Sequence, residues 1–259
     1  MYDLHSHILP GLDDGAKTLE EAVQMIGIAA QDGTQAILAT PHSKDVQEAS
    51  AHELVQERLE ELCREARRQG IDIDIALGME NHLTPGLPDL VEKGEGYPIN
   101  GHHYILVELP FTIYPDYADD VLFQLQLKGY FPLIAHPERQ ESIQRDPTIM
   151  ERLVERGIMG QITSTSILGK FGPVAMRCAR TLLKRNLVHV IASDAHRPTG
   201  PRTPVMSKAV KEAAKIAGRE KAEAMVESTP KAILEGHPME VEEPVPVLKK
   251  RGLKFWARE

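Results

Sequence analysis

Residues 2–15 read YDLHSHILPGLDDG, and the apolar start of this segment leads directly into two histidines, His5 and His7. A strand over these residues places both side chains on the same face, because alternate residues of a strand point the same way. At that spacing both imidazoles can reach one cation. The pair alone is weak evidence, since a buried, hydrogen-bonded pair of histidines explains it equally well.

Five further apolar runs end in a histidine or a carboxylate in the same way. These runs are residues 36–39 before His42, 73–78 before Glu80, 105–107 before Glu108, 133–135 before His136, and 188–193 before Asp194 and His196. Parallel α/β folds build their active sites at the carboxyl ends of the strands. Six strands that all deliver potential ligands at that end predict one shared metal site.

Strand-like runs alternate with helix-like segments along the whole chain, which is typical of βα units around a parallel sheet. A further strand over Gly160–Ser164 offers only hydroxyls and an amide, so we expect about seven strands in a barrel-like α/β arrangement. Thr18 can cap the first helix, because Glu20 and Glu21 follow it. The predicted helices span residues 18–31, 46–69, 118–128, 147–156, 174–185, 205–216, 220–226 and 230–234.

One long connection and the C-terminal segment do not follow this alternation of strands and helices. Residues 84–103 are rich in glycine and proline and lack a clear element, which indicates a functional loop. From Pro238 onward, prolines are followed by basic residues between Lys249 and Arg258. We therefore expect one domain over residues 1–237 and a C-terminal tail over 238–259. The tail is either a partly disordered basic end or a weak docking element for an acidic membrane surface or a partner protein.

Composition excludes several classes of protein. A net charge of −8 argues against nonspecific nucleic-acid binding, and an aromatic content of 5% disfavours a single-strand platform built on base stacking. The two cysteines, Cys63 and Cys178, are too few for a disulfide framework. The chain has neither a signal-like segment nor an apolar stretch approaching 18 residues, so we expect a soluble, cytoplasmic protein.

The number and chemistry of the candidate ligands indicate how many metal ions are bound and which elements suit the site. Counting Asp14, nine side chains are available, which is more than one ion can bind. A mixed set of imidazole nitrogens and carboxylate oxygens suits Mn²⁺, Fe²⁺ or Zn²⁺, whereas an all-oxygen set favours Mg²⁺ or Ca²⁺. We therefore expect two or three ions that share bridging ligands.

The motifs also resemble a known superfamily. In chain order they are HSH at 5–7, TPH at 40–42, GME at 78–80, VE at 107–108, IAHPER at 134–139 and ASDAH at 192–196. This series is similar to that of the polymerase and histidinol phosphatase (PHP) superfamily, which implies a distorted (β/α)7 barrel. Residues 3–15 and 188–194 resemble the CpsB/CapC-type tyrosine-protein phosphatases within it. That resemblance implies a manganese-dependent enzyme acting on a bacterial tyrosine autokinase that controls capsule or exopolysaccharide synthesis.

The same resemblance implies a division of the ligands among ions. The first ion would be bound by His5, His7, Glu80 and Asp194, and Glu80 would bridge to a second ion. Glu108 and His136 would complete the second site, and Asp14, His42 and His196 would bind a third ion. Arg139 and Arg202 match positions where the family places phosphate-binding arginines, and the second match contains an added residue, Pro201.

The implied mechanism needs no nucleophile from the protein. A metal-bridging hydroxide would attack phosphorus in line with the departing phenolate, and the arginines would orient the phosphate by bidentate contacts. Asp194 or Glu108 could also handle the proton of the attacking water. The chain lacks the Cys-x5-Arg signature of cysteine phosphatases, and Cys63 and Cys178 are most simply packing residues.

Several alternatives remain open from the sequence. The runner-up function is a small-molecule phosphomonoesterase such as histidinol phosphatase, which would share the metal site. A PHP-type nuclease is less favoured because the chain is acidic and has no polymerase region, and a noncatalytic metal-binding regulator is disfavoured by the retained ligands. His82 either hydrogen-bonds beside the metal site or has a purely structural role. Tyr114 and Tyr117 could flank a phosphotyrosine ring, but core or rim packing is the simpler interpretation.

Overall fold

A computed structural model describes residues 1–245 of the chain. Within these residues, eight strands form two sheets in which all neighbouring strands are parallel. The strands are β1 Tyr2–Ser6, β2 Ala36–Ala39, β3 Asp74–Leu77, β4 Asn81–His82, β5 Tyr104–Glu108, β6 Phe131–Ala135, β7 Met159–Thr163 and β8 Val190–Ala192. The predicted α/β class is therefore confirmed. One strand more than the expected seven is present in this range, because β4 is separate from β3.

The two sheets have the strand orders β1-β2-β3 and β4-β5-β6-β7-β8. Isolated parallel bridges link them at two places, where Ser6 pairs with Ala195 and His42 pairs with Glu80. Beside the first bridge, the Asp194 amide donates to the His5 carbonyl oxygen at 2.9 Å. The carboxyl ends of strands from both sheets consequently lie close together, and this is the end that carries the predicted ligands.

Twelve α-helices connect and cover the strands within residues 1–245. They are α1 Leu19–Gln31, α2 Ser43–Glu48, α3 His52–Arg68, α4 Leu87–Glu92, α5 Ala118–Leu127, α6 Glu141–Arg145, α7 Thr148–Glu155, α8 Ser164–Ile167, α9 Gly172–Lys184, α10 Ser207–Ala217, α11 Arg219–Ala224 and α12 Ser228–Leu234. Thr18 caps α1 as predicted, since its hydroxyl accepts the Glu21 amide proton at 3.2 Å. The Glu21 carboxylate accepts from the Lys17 amide in return, which satisfies a second free donor at the helix start.

Two expectations about connections were wrong. The helix predicted over residues 46–69 is two helices, α2 and α3, because Ser50 adopts a left-handed conformation with φ 50° and turns the chain between them. The stretch of residues 84–103 is not without structure, since it contains α4 and a 3-10 turn at Ile99–Gly101. A six-residue helix that begins at Leu87-Pro88 is too short to give a periodic apolar pattern.

The core has three parts that follow the two faces of the strands. Helices α1 and α3 pack on one face of the first sheet around Ile37, and α5, α7 and α9 pack on one face of the second around Ile105. The alternate residues of both sheets point to the other side, where they form one common cluster. Its strand members include Leu4, Leu38, Leu106, Leu133 and Val190. This shared cluster holds the two sheets against each other.

None of the helices in residues 1–245 combines the length and the apolar character that crossing a membrane requires.

The first part of the predicted tail lies against the domain. The Met239 amide donates to the Tyr104 hydroxyl at 3.0 Å, and the Val245 amide donates to the Arg185 carbonyl oxygen at 2.9 Å. Residues 238–245 therefore cover part of the domain rather than leave it. The basic stretch between Lys249 and Arg258 lies outside the described residues, so its role as a docking element remains a prediction.

Candidate metal centre and active site

All nine candidate ligands meet at the carboxyl ends of the strands. Three groups have ligand atoms that all lie within 4.8 Å of one another. The first group is His5, His7 and Glu80, the second is His42, Glu80 and Glu108, and the third is His7, Asp14, His42 and His196. Because His7, His42 and Glu80 each occur in two groups, the three groups form one continuous cluster.

Glu80 lies at the centre of this cluster and is almost completely buried. Its Oε2 atom is 3.2 Å from His5 Nε2, 3.3 Å from His7 Nε2 and 3.0 Å from His42 Nδ1. Oε2 nevertheless has no hydrogen-bond partner, although it is fully buried. Its other oxygen, Oε1, accepts from His136 Nε2 at 2.8 Å. A buried, unpartnered carboxylate oxygen surrounded by imidazole nitrogens fits a set of ligands that converge on metal ions.

The charges within the cluster shift its titrating groups strongly. Burial lowers the pKa of His7, but the Asp13 carboxylate, 2.7 Å away, outweighs this and raises the pKa to about 9. His42 is similar, since Asp14 and Glu80 overcome the effect of burial and raise its pKa to about 11. Burial opposes the charge of Glu80, yet the neighbouring histidines hold its pKa well below 4.5. Carboxylates that stay charged beside these histidines favour positive charge, as the binding of divalent cations requires. His196 differs, because burial and the neighbouring His7 lower its pKa to about 4.

The outer part of the cluster is more open to solvent. Asp14 has 60% of its side chain exposed, and its Oδ1 atom lies 3.1 Å from His196 Nε2 and 3.5 Å from His42 Nε2. Its loop folds back over β1, where a Cβ at Gly15 would overlap the His7 carbonyl oxygen. Only glycine fits at that position. Asp14 is therefore held beside the histidines by its loop while its carboxylate stays accessible.

The observed groups match the implied division among ions only in part. His5, His7 and Glu80 come together, and Asp194 Oδ1 lies 3.7 Å from His5 Nε2 and 3.6 Å from His7 Nε2. Asp14, His42 and His196 also come together, with His7 as a fourth member. The implied division pairs Glu108 with His136, and Glu108 Oε1 lies 3.7 Å from His136 Nε2. Glu108 also forms a group with His42 and Glu80, which the implied division does not contain.

Two of the ligands occupy strained backbone positions. His136 has φ 30° and Asp194 has φ 52°, a region that residues other than glycine rarely adopt. His136 follows directly on the end of β6 and Asp194 lies two residues after the end of β8, and the left-handed conformation turns the chain sharply there. Strain of this kind concentrates at functional sites.

Arg139 and Arg202 both lie beside Asp194. Arg139 Nη1 donates to Asp194 Oδ2 at 2.7 Å, and Arg202 Nη2 donates to Asp194 Oδ1 at 2.8 Å. The carbonyl oxygen of Arg202 accepts from the His196 and Arg197 amides, so the loop closes and returns Arg202 to the site despite Pro201. The Arg202 Nε atom is buried and has no partner. Two guanidinium groups with unused donors suit an anion such as phosphate.

Several residues around the cluster hold its members in place. Asp13 accepts from His7 Nδ1 and from the His42 amide at 3.1 Å. His82 Nδ1 lies 2.8 Å from Glu108 Oε2, which is the hydrogen-bonding alternative left open by the sequence. The amide oxygen of Gln161 lies 2.9 Å from His5 Nδ1, so β7 also contributes to the site. Gln161 was missed because a lone glutamine on a strand gives no distinctive signal.

Two phenylalanines also contact the site and were missed by the sequence analysis. Phe111 stacks on the His136 imidazole with a centroid distance of 5.6 Å, and both Phe111 and Phe171 lie against the Arg139 guanidinium. The two tyrosines considered earlier have structural contacts instead. The Tyr114 hydroxyl donates to Asp119 at 3.0 Å, and the Tyr117 hydroxyl donates to the Leu83 carbonyl oxygen at 3.4 Å.

Several known proteins are similar to this chain in sequence. The family described as "Capsular polysaccharide synthesis, CpsB/CapC" matches residues 1–235. Tyrosine-protein phosphatase YwqE of Bacillus subtilis is 37% identical over 196 residues, which cover 76% of this chain and 77% of YwqE. Tyrosine-protein phosphatase CpsB of Streptococcus pneumoniae is 30% identical over 241 residues, which cover 90% of this chain and 98% of CpsB.

The fold also matches a solved structure over nearly its full length. A chain from the crystal structures of YwqE from Bacillus subtilis and CpsB from Streptococcus pneumoniae, described as unique metal-dependent tyrosine phosphatases, superposes with a TM-score of 0.89. It is 32% identical, and the match covers 96% of this chain and 100% of that chain. On the sequence match over residues 1–235 and this structural likeness, the chain belongs to the CpsB/CapC family.

Proposed function

We propose that this chain is a metal-dependent protein-tyrosine phosphatase that hydrolyses phosphotyrosine. The observation that carries the proposal is Glu80 Oε2, a buried oxygen with three imidazole nitrogens within 3.3 Å and no hydrogen bond. The two arginines on Asp194 add a place for a phosphate beside the cluster. The names of the relatives as tyrosine-protein phosphatases support the substrate class.

The proposed cofactor is Mn²⁺, with two or three ions bound by the nine side chains. His5, His7, Glu80 and Asp194 would hold one ion, and Glu108 and His136 would hold a second that shares Glu80. Asp14, His42 and His196 would hold the third. The mixed nitrogen and oxygen donors also suit Fe²⁺ or Zn²⁺, so the metal is part of the proposal. When bound, such ions supply water activation and charge neutralisation for phosphate ester hydrolysis.

The side chains of the protein would bind the phosphate, orient one another and accept a proton. Arg139 and Arg202 would bind the phosphate oxygens and fix its orientation, because a planar guanidinium can make two parallel hydrogen bonds. Asp194 would hold both arginines in position through its two oxygens. His82 would keep Glu108 oriented through the Nδ1 contact at 2.8 Å. Asp194 or Glu108 would be the acceptor for the proton of the attacking water.

No cysteine of the chain is suited to act as the nucleophile. Burial raises the pKa of the Cys178 thiol to about 12, and burial likewise raises the pKa of Cys63. Neither thiol therefore forms the reactive thiolate near neutral pH. Cys178 packs in the core with α9, and both cysteines are free. This supports a mechanism in which water, rather than a side chain, attacks phosphorus.

We also propose the type of barrel, the extent of the domain, the protein substrate and the cellular location. The two sheets would form one distorted (β/α)7 barrel of the PHP type, with the cluster around Leu38 and Leu106 as its interior. Residues 1–237 would be a single domain, followed by the tail. The phosphoprotein substrate would be a bacterial tyrosine autokinase in capsule or exopolysaccharide synthesis, reached in the cytoplasm. The protein would not bind nucleic acid or insert stably in a membrane, although its basic tail could make weak peripheral contacts.

A phosphate-release assay tests the proposal. The protein is stripped of metal, reloaded with Mn²⁺, Fe²⁺ or Zn²⁺, and offered phosphotyrosine peptides, histidinol phosphate and single-stranded DNA. We expect phosphate release from the phosphotyrosine peptides with Mn²⁺ and no cleavage of DNA. Hydrolysis of histidinol phosphate alone would instead favour the small-molecule phosphatase, and cleavage of DNA would favour a nuclease. Metal uptake without any hydrolysis would indicate a noncatalytic regulator.

A further inference from the structure

The ring of Phe171 lies against both arginines of the site. The Arg139 Cζ atom is 4.5 Å from the Phe171 ring centroid, and the Arg202 Cζ atom is 5.9 Å from it. Arg139 comes from the turn after β6 and Arg202 from the loop after β8. Phe171 lies just before α9, and its ring thus contacts an arginine from each of these two separate segments.

Phe111 provides a second ring for Arg139. Its centroid is 4.9 Å from Arg139 Cζ, and its ring also stacks on His136 at an angle of 10°. The segment that carries Phe111 is bonded to the segment that follows Arg139. The Glu141 amide donates to the Phe111 carbonyl oxygen at 2.7 Å, and the Tyr114 amide donates to the Ser142 hydroxyl at 3.1 Å.

Aromatic contacts of this kind have a specific consequence for a guanidinium group. The guanidinium carbons lie over the aromatic rings, and a ring takes up none of the N–H donors as a hydrogen-bond acceptor of the usual kind. The donors therefore stay available for an anion. Arg139 uses Nη1 and Arg202 uses Nη2 on Asp194, while the buried Arg202 Nε has no partner. An oxygen of a bound phosphate would supply an acceptor for this donor.

We infer that Phe171, supported by Phe111, is a positioning residue that fixes Arg139 and Arg202 as one phosphate-binding unit. Asp194 accepts a hydrogen bond from each arginine, Phe171 packs against both guanidinium groups, and Phe111 packs against that of Arg139. Without the rings, each long side chain would lose rotamer freedom on binding phosphate, which weakens the interaction. The inference rests on the proposed function, because it assigns the phosphate site of that activity.

The test is the affinity of the metal-loaded enzyme for inorganic phosphate, measured by calorimetry. Phe171→Leu keeps an apolar side chain but removes the ring, and we expect phosphate binding about tenfold weaker with unchanged metal content and melting temperature. Phe171→Tyr keeps the ring and should retain the affinity of the wild type. Phe123→Leu is the matched control, since Phe123 is 49% exposed on α5 and contacts neither arginine.

A double-mutant cycle separates positioning from packing. If Phe171 acts through Arg139, the loss caused by Phe171→Leu should shrink markedly in an Arg139→Ala background. Full additivity of the two changes, or wild-type phosphate affinity in Phe171→Leu, would overturn the inference. So would equal losses in Phe171→Leu and Phe171→Tyr. Failure of the proposed function is distinguishable, because it would appear as a wild-type enzyme that binds phosphate without hydrolysing phosphotyrosine.

Discussion

His7 and His189 are both largely buried, and they lie at opposite ends of the parallel strands. His7, at the carboxyl ends, has Asp13 at 2.7 Å and Glu80 at 3.3 Å, and its pKa is raised to about 9. His189, at the amino end of β8, forms no ion pair among the described residues, and burial lowers its pKa to about 4. Its Nδ1 atom accepts the Gly160 amide proton at 3.1 Å. Burial therefore favours the neutral form of His189, whereas the nearby carboxylates favour positive charge at His7.

The largest effect should come from removing the centre of the carboxyl-end cluster. Glu80→Gln retains the size of the side chain but removes the charge that four histidines contact. We expect bound metal to fall and phosphotyrosine hydrolysis to decrease by about a thousandfold or more, because the ions supply several kcal/mol of charge stabilisation. Metal analysis and phosphate release measure the two quantities. Glu53→Gln, on the surface of α3, is the control and should behave as the wild type.

A second change should separate phosphate binding from metal binding. Arg139→Ala removes one donor group beside Asp194 but none of the proposed ligands. We expect kcat/KM for a phosphotyrosine peptide to fall by about a hundredfold while the metal content stays unchanged. Arg145→Ala is a matched control, since Arg145 lies six residues on and is 72% exposed. A parallel loss of metal in Arg139→Ala would contradict the separate role.

A smaller effect is expected next to the cluster. His82→Ala removes the hydrogen bond to Glu108 without removing a proposed ligand. We expect activity or metal affinity to fall by about tenfold, which is typical for partners that orient a ligand. His52→Ala provides the comparison, because His52 lies near the Glu95 carbonyl oxygen and the Tyr97 ring and is not one of the proposed ligands. Equal activity in both variants would assign His82 a purely structural role.

The smallest effect on activity is expected at the opposite end of the strands. His189→Gln keeps an acceptor for the Gly160 amide, so metal content and hydrolysis should not change. Stability should respond to pH, because the folded pKa of about 4 lies below the 6.5 of an unfolded histidine. The unfolded chain then takes up the proton first, and the free energy of unfolding falls as the pH decreases from 6.5 towards 4.

Denaturant unfolding at pH 7 and pH 5 measures this dependence. Between these values the wild type should lose about 1–2 kcal/mol more stability than His189→Gln. His237→Gln, which changes an exposed histidine, should follow the wild type. A pH dependence that is identical in the wild type and His189→Gln would mean that His189 is not held neutral by burial.

The sequence predicted the α/β class and the convergence of the ligands because both follow from local patterns. Most of the ligands come within a few residues of the end of an apolar run, and parallel strands bring their carboxyl ends together. The break between α2 and α3 was missed, because Ser50 adopts a left-handed conformation that a sequence usually indicates by a glycine. The short helices α6 and α8 were missed because fewer than two turns give no periodicity.

The residues around the ligands were harder to predict for a different reason. Gln161, Phe111 and Phe171 contact the site only because distant segments meet, and each would pass for an ordinary strand or loop residue. The role of His82 stayed open for the same reason. Which ligands come together at one ion depends on distances between side chains, and the spacing of residues along the chain does not determine these distances. The group formed by Glu108, His42 and Glu80 is an example.

The most direct test of the central claim is a metal titration of phosphotyrosine hydrolysis. The stripped protein and its Glu80→Gln variant are each titrated with Mn²⁺, and bound metal and released phosphate are measured on the same samples. We expect that the wild type binds two or three ions and gains activity as they bind, while the variant does neither over the same range. Full phosphotyrosine hydrolysis by the stripped wild type, or metal-dependent activity undiminished in Glu80→Gln, would contradict it.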